Sequence, residues 1–332
     1  MKKIGIILAL VAGLTGTYLL GPSPPRPVYT DQVPELTTDL VRLEQWVMDK
    51  EARLAIKPDN EARIIWKDST KTKTPYSLVY LHGFSSSQED GDPIHLQMAK
   101  RFGMNLYLSR LADHGLISPD PLLNFTATSA WEDAKEALTI GSLIGEKVIL
   151  LSTSTGGTLS LMLCAHFPDI AAQILLSPNI AIKDPSAWLL NNHWGLNIAK
   201  KVLGGDFRVI NDTTALYRQY WSGRYRVEAL PQLEELLETT MKPSVFRRIN
   251  QPTLMLYYYK DEEHQDQVVR VDKMLEMFNQ LATAQDKKKK VAVPDAGNHA
   301  IGTAIKSHDL LTVEKEVNNF CESILGLKPI VH

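Results

Sequence analysis

The segment from Val148 to Leu161 constrains the fold of this chain more than any other. Val148 to Leu151 form an unbroken apolar run, as expected of a strand buried on both faces. Thr158 to His166 read as a helix, with Leu159, Met162, Leu163 and His166 spaced to share one face. Between the two, the chain has only about five residues in which to reverse, so its central residue is forced into strained backbone geometry with small neighbours. Gly156 and Gly157 supply the room, and Ser154 stands at the tip.

A serine held above a parallel sheet at a helix N-terminus is the arrangement of a nucleophile elbow, where free N–H groups are available to an oxyanion. The usual pattern is G-x-S-x-G. Here the pentapeptide is Ser152-Thr153-Ser154-Thr155-Gly156, with the small Ser152 in place of the first glycine. Two bland readings compete. One is a serine-rich turn that only caps a helix. The other is a phosphate-binding loop, which is disfavoured because no G-K-[ST] follows.

The rest of the chain is of ordinary globular composition, with 44% hydrophobic and 22% charged residues among 332. A net charge of -2 gives no broad attraction to nucleic acid. The basic block Lys287 to Lys290 reads as a solvated loop. Met1-Lys2-Lys3 followed by the uncharged Ile4 to Leu20 is close to the lower limit for a membrane-spanning segment and lacks a clear cleavage site. Residues 1–21 are therefore expected to be an N-terminal membrane anchor or signal segment, with Lys2 and Lys3 cytoplasmic. The body would then lie on the extracytoplasmic side, which is the periplasm if the host has two membranes. Residues 22–36, rich in proline, would be a stiff spacer. The two cysteines, Cys164 and Cys321, fall in helical patterns as buried thiols, and no zinc spacing exists.

Strand and helix patterns alternate from residue 37 to residue 182. Helix Thr37 to Ile56 comes first, then strands Ala62 to Trp66 and Ser77 to Leu81. Helix Ile94 to Phe102, strand Asn105 to Leu108, helix Ser129 to Leu143, the elbow and strand Ala172 to Leu176 follow. The alternation resumes over 249–332 with strand Thr253 to Tyr258, helix Val268 to Leu281, strand Lys290 to Val293 and helix Thr312 to Leu325. This order predicts an α/β fold, doubly wound around a mostly parallel sheet with right-handed crossovers. Residues 183–248 show short helical pieces and no convincing strand, so they read as a helical lid insertion at the edge where such sheets bind ligands. Of the lid aromatics, Trp188, Trp194, Trp221, Tyr217, Tyr220 and Tyr225, most are expected to form the insert's own core, and some to line a pocket.

A serine nucleophile needs a base, itself oriented by a third group. Among nine histidines, His299 is the candidate, in a turn-rich loop after a strand, Pro294-Asp-Ala-Gly-Asn-His299. His82-Gly83-Phe84 also follows a strand. There Gly83 lets backbone approach a ligand, the Phe84 N–H is a candidate oxyanion donor, and His82 braces the loop. His114 is a candidate pocket-lining residue. His95, His166, His308 and His332 read as surface or packing positions. The orienting acid is expected in Lys260-Asp261-Glu-Glu-His-Gln-Asp266, where both Asp261 and Asp266 are available. With His264 these acids have no recognised metal spacing, so no metal or cofactor is expected.

Ser154 in an elbow, then an acid, then His299, with His82-Gly83-Phe84 upstream, resembles the α/β-hydrolase family, which has this chain order. The lid position and Asp266-Gln-Val-Val269 resemble more narrowly its monoacylglycerol-lipase and carboxylesterase-like branch. The resemblance covers roughly residues 60–326. It implies Asp266 rather than Asp261 as the acid, since that branch places the acid two residues before an apolar pair. It also implies an oxyanion hole from the N–H groups of Phe84 and Thr155, beside the close-packed Gly156. The expected activity is hydrolysis of an ester or lipid substrate through an acyl-enzyme. Amidases, peptidases, acyltransferases and silent binding proteins share the fold.

Overall fold

The computed structural model describes residues 2–330 and, within the first helix, the side chains of Ile4 and of Leu10 onward. In chain order the elements begin with α1 (Lys2–Leu19), α2 (Leu40–Ala52), β1 (Arg63–Ile65), β2 (Thr74–Leu81), α3 (Ile94–Phe102) and β3 (Asn105–Leu108). They continue with α4 (Ala127–Ile144), β4 (Gly145–Thr153), α5 (Thr155–His166) and β5 (Ala172–Leu176). A lid follows, built of α6 (Gly195–Leu203), β6 (Phe207–Val209), α7 (Ala215–Tyr220), β7 (Arg224–Arg226), α8 (Ala229–Thr240) and α9 (Pro243–Phe246). The chain closes with β8 (Thr253–Tyr257), α10 (Val271–Gln280), β9 (Lys288–Ala292) and α11 (Leu310–Ser323).

The main sheet has seven strands in the order β1-β3-β2-β4-β5-β8-β9, all parallel except β1, which runs antiparallel to β3. Each central strand sends alternate residues into two cores, as the period of two requires. On β4, Val148 and Leu150 join the core packed by α2, α4, α5, α8 and α10. Ile149 and Leu151 join the opposite core, packed by α3 and α11. Helix α4 starts at Ala127, two residues before the sequence pattern suggests. Thr126 accepts a hydrogen bond from the Ser129 N–H, and the Ser129 hydroxyl accepts one from the Thr126 N–H, a complete capping box.

Several sequence expectations are corrected. Helix α5 is not amphipathic: every residue from Thr155 to Ala165 is buried, because sheet, α4, α8 and α9 surround it. The basic block is mostly strand, since Lys288–Lys290 open the edge strand β9. Lys288 is buried and donates to the Phe278 and Leu281 carbonyls at 3.3 and 3.0 Å, capping the end of α10. Lys289 and Lys290 reach Glu316 and Asn279, and lysines on an edge discourage further strand pairing. The lid is not wholly helical. It contains the antiparallel ribbon β6–β7, too short to carry a legible alternation.

The N-terminal region also differs from expectation. Among the described residues no helix is long and apolar enough to cross a membrane, and α1, 18 residues long, includes Lys2 and Lys3. Residues 22–36 are not a free spacer but a strap bound along the body. The Val28 N–H donates to Thr128 Oγ1, and the Trp131 indole donates to the Thr30 carbonyl at 2.8 Å. The fully buried Lys135 ammonium donates to Thr30 Oγ1 and the Gln32 carbonyl at 3.1 and 2.6 Å. A buried ammonium needs such acceptors, and among the described residues the strap and Glu132 offer them. Deleting residues 1–36 should therefore lower the melting temperature by at least several degrees, read by differential scanning calorimetry, because it uncovers Trp131 and Lys135. Deleting residues 1–20 should have a much smaller effect.

Candidate active site

Ser154 sits between β4 and α5 with φ 53° and ψ -116°, a region that non-glycine residues rarely occupy. Its N–H donates to the Leu176 carbonyl at 3.0 Å, and its carbonyl accepts from the Gly157 and Asn179 N–H groups at 2.8 and 2.9 Å. Those bonds hold the strained turn. A Cβ at Gly156 would collide with the Leu81 carbonyl, and one at Gly157 would meet Pro178, so α5 reaches β2 and β5 only because both residues are glycine. Thr155 is the first residue of α5, and its N–H has no acceptor within the helix.

The C-terminal ends of β4, β8 and β9 open on the same sheet edge, and the loops after β8 and β9 carry Asp266 and His299. Asp266 is fully buried. Its Oδ1 accepts from the N–H groups of Val268 and Val269 at 2.8 and 3.1 Å, and its Oδ2 accepts from His299 Nδ1 at 2.6 Å. Asp261 lies on the surface and is occupied by His264 and the Glu263 N–H. The structure thus joins His299 to Asp266 and leaves Asp261 outside. Burial by itself would lower the His299 pKa, but the Asp266 charge and hydrogen bond, with the Asp90 charge, raise it above the ordinary 6.5. The other ring nitrogen, Nε2, is buried without a hydrogen-bond partner among the described residues, so it is not bonded to Ser154. An unpaired acceptor at this edge is free to take a proton.

Gly83 lies directly against the elbow, since a Cβ there would stand 3.2 Å from Ser154 Cβ and 2.9 Å from Asp90 Oδ2. His82 is fully buried. Its Nδ1–H donates to the Gly83 carbonyl at 2.8 Å and its Nε2 accepts from the Leu111 N–H at 3.0 Å. Burial pushes its pKa down to about 4. His114 is fully buried too, donating to the Ala112 carbonyl and accepting from the Ser85 N–H, so it braces the loop from beneath and does not line a pocket. His95 and His166 pack as expected, against Tyr80 and Trp131, and His308 is exposed. His332 lies outside the described residues. Asp90, which has no signature in the sequence, is buried beside Gly83. It becomes visible only because the segment Gln88–Gly91 folds back under Tyr80.

The lid meets this loop. The Ser222 N–H donates to the Ser85 carbonyl at 2.7 Å, and Tyr225 stands edge-on to Phe84 at 5.4 Å. Tyr217 and Trp221 are stacked and nearly buried. Trp188, by contrast, is 54% exposed and belongs to the outer surface, whereas Tyr217, Trp221 and Tyr225 are buried. A separate cavity of about 460 Å³ between α2 and β1 lies at the far edge of the sheet and includes no residue of this site. Among the described residues no group of three or more His, Cys, Asp and Glu side chains is placed to hold a metal ion.

This fold and site define an α/β hydrolase, and the chain belongs to the alpha/beta hydrolase family, whose model matches residues 78–309. No curated relative matches the chain in sequence. Among solved structures it is similar to one from a study of LipS and LipT, two metagenome-derived lipolytic enzymes, with TM-score 0.64 and 15% identity over 80% of this chain and 98% of that one. It is also similar to a monoacylglycerol lipase of Paleococcus ferrophilus, with TM-score 0.56 and 16% identity over 77% and 96%. A third similar structure is Est1E of Butyrivibrio proteoclasticus with ferulic acid bound, with TM-score 0.54 and 15% identity over 80% and 95%. At these identities the likeness is one of fold.

The buried histidines give this chain a pH signature. Burial lowers His82 and His95 to about 4 and His114 well below its ordinary value, whereas His299 is raised. Below pH 6.5 the unfolded chain binds protons at His82, His95 and His114 that the folded chain refuses, so these three lose stability as pH falls from 6.5 towards 4. His299 contributes in a different window: its stabilisation is fully present below 6.5 and is lost as pH rises through its own raised pKa. A histidine NMR titration should therefore find His299 alone among these four titrating above 6.5, with His82, His95 and His114 still neutral well below it.

Proposed function

We propose that the chain is a serine hydrolase of carboxylic esters, related in activity to carboxylesterases and monoacylglycerol lipases. The observation that carries this reading is the Asp266–His299 hydrogen bond at 2.6 Å, with the far nitrogen of His299 buried and unpartnered on the sheet edge that holds the strained Ser154. Ser154 Oγ attacks the ester carbonyl carbon while His299 Nε2 takes its proton. Asp266 holds the proton of Nδ1 and stabilises the imidazolium. The N–H groups of Phe84 and Thr155 receive the tetrahedral oxyanion. Collapse expels the alcohol, which takes the proton from His299. A water molecule then repeats the sequence on the acyl-enzyme and releases the acid.

Tyr225 of the lid, edge-on to Phe84 of the oxyanion loop, supports an apolar acyl group as the preferred substrate. The Lys-Lys start and the uncharged residues 4–20 support an exported protein. Sequencing the mature N-terminus from membrane and soluble fractions tests that localisation.

Kinetics on p-nitrophenyl esters of increasing chain length, beside peptide anilides, tests the reaction. Ester turnover should exceed anilide turnover, and kcat/KM should rise from acetate to medium chains, each buried CH₂ contributing about 0.8 kcal/mol until the pocket is full. Ser154→Ala should abolish measurable turnover without unfolding the protein. Asp266→Asn should lower kcat by on the order of 10⁴-fold, and Asp261→Asn should change it little. Preference for anilides would point to a peptidase, and a larger loss at Asp261 would move the acid.

A further inference from the structure

One buried carboxylate ties together the loops on which the proposed reaction depends. Asp90 is 2% exposed. Its Oδ2 accepts from the Gly83 N–H at 2.8 Å, in the loop that precedes the Phe84 oxyanion donor. The Ser86 hydroxyl, 2.5 Å from Oδ2 and 2.9 Å from the Gly83 carbonyl, shares its one proton between them. Oδ1 accepts from the Tyr80 phenol, which is also 2.8 Å from Thr153 Oγ1, the residue immediately before Ser154. The backbone of the same segment abuts the His299 loop. A Cβ at Gly302 would stand 3.3 Å from the Asp90 carbonyl, and the Ala304 N–H donates to the Asp92 carbonyl at 3.1 Å. The Asp90 charge is felt at His299, and the His299 charge at Asp90.

We infer that Asp90 is a positioning residue for this reaction, fixing the Gly83–Phe84 loop against Ser154 and adding a second negative charge, beside that of Asp266, to the field at His299. A buried carboxylate is costly to keep ionised, and a structural tie between Gly83 and Tyr80 does not require the charge. The charge has a use at the imidazolium that forms when His299 takes the serine proton. Burial pushes the Asp90 pKa up to about 6, against the opposing pull of the Ser86, Tyr80 and Gly83 hydrogen bonds and of His299. The other groups facing it are the Tyr80 phenol, kept neutral by burial and by Asp90 itself, and the neighbouring Glu89, raised to about 7 by burial and by Asp92, Asp59 and Asp90. Asp90 is therefore charged over the range in which His299 acts as a base.

The inference rests on the serine-hydrolase reading, and the experiment separates the two. The pH profiles of kcat and KM for a p-nitrophenyl ester are compared between the wild-type chain and Asp90→Asn, which keeps the side chain's shape and removes its charge. We expect kcat to fall by about 10²-fold, as for a misplaced catalytic group, with KM nearly constant. We also expect the acidic limb of kcat/KM to move to lower pH, because His299 loses one of its two negative neighbours. An unchanged kcat, or a limb that stays in place, would overturn the inference while wild-type turnover stands. A wild-type protein that hydrolyses no ester would sink the hydrolase reading and this inference with it. If Asp90→Asn does not fold, Ser86→Ala keeps the charge and loosens its tie to the loop. A several-fold fall in kcat would then support the inference, and wild-type kcat would overturn it.

Discussion

The close approach of α5 to the sheet governs the rest of this structure. Ser154 adopts its strained dihedrals because β4 must pass directly into a helix that turns back over β2, and Gly156 lies against the Leu81 carbonyl with no space for a side chain. That contact sets how far the Ser154 hydroxyl projects and where the N–H groups at the start of α5 point. It also explains why α5 is buried on all sides, since a helix pressed into the centre of the sheet edge is then covered by α4, α8 and α9. The strain is held by bonds from the Ser154 backbone to Leu176, Gly157 and Asn179, so the adjacent strand β5 and the loop after it are part of the same support.

Around that turn the protein separates histidines by environment. His82 and His114 are placed where both ring nitrogens meet backbone groups and no carboxylate is bonded to either, and burial keeps them neutral. They act as rigid braces beneath the Gly83–Phe84 loop. His299 is buried as well, but Asp266 binds one nitrogen and the other is left without a partner. The same side chain thus serves as scaffold in two positions and, in the proposed mechanism, as a proton acceptor in the third, and the difference is the neighbouring carboxylates.

The sheet and the loops that carry Ser154 and His299 were legible in the sequence because each rests on a local signal, whereas Asp266 was set apart from Asp261 only by the family resemblance. Apolar runs such as Ala172–Leu176 mark strands buried on both faces, and glycines mark the tight turn. The comparisons establish the family and fold, and the catalytic roles stand as the proposal above. What was not legible depends on distant partners. Residues 22–36 read as a spacer because proline is all that the local sequence offers, whereas their docking depends on Trp131 and Lys135, a hundred residues away. Lys288 reads as solvated until α10 is seen ending beside it. Trp188 and Tyr217 look alike in the sequence, and only the packing of the lid leaves one exposed and the other buried. Asp90 is one acid among several in Gln88-Glu89-Asp90-Gly91-Asp92, and no spacing rule distinguishes it from its neighbours.

The central claim is that Ser154 is a nucleophile activated by the His299–Asp266 pair. Peptide mass spectrometry of the folded protein after exposure to a fluorophosphonate tests it most directly, because the reagent forms a stable phosphonyl ester only with an activated hydroxyl. A single adduct on the peptide that carries Ser154, lost when the protein is unfolded before labelling, is the predicted result. No adduct, or an adduct on a different serine, would contradict it.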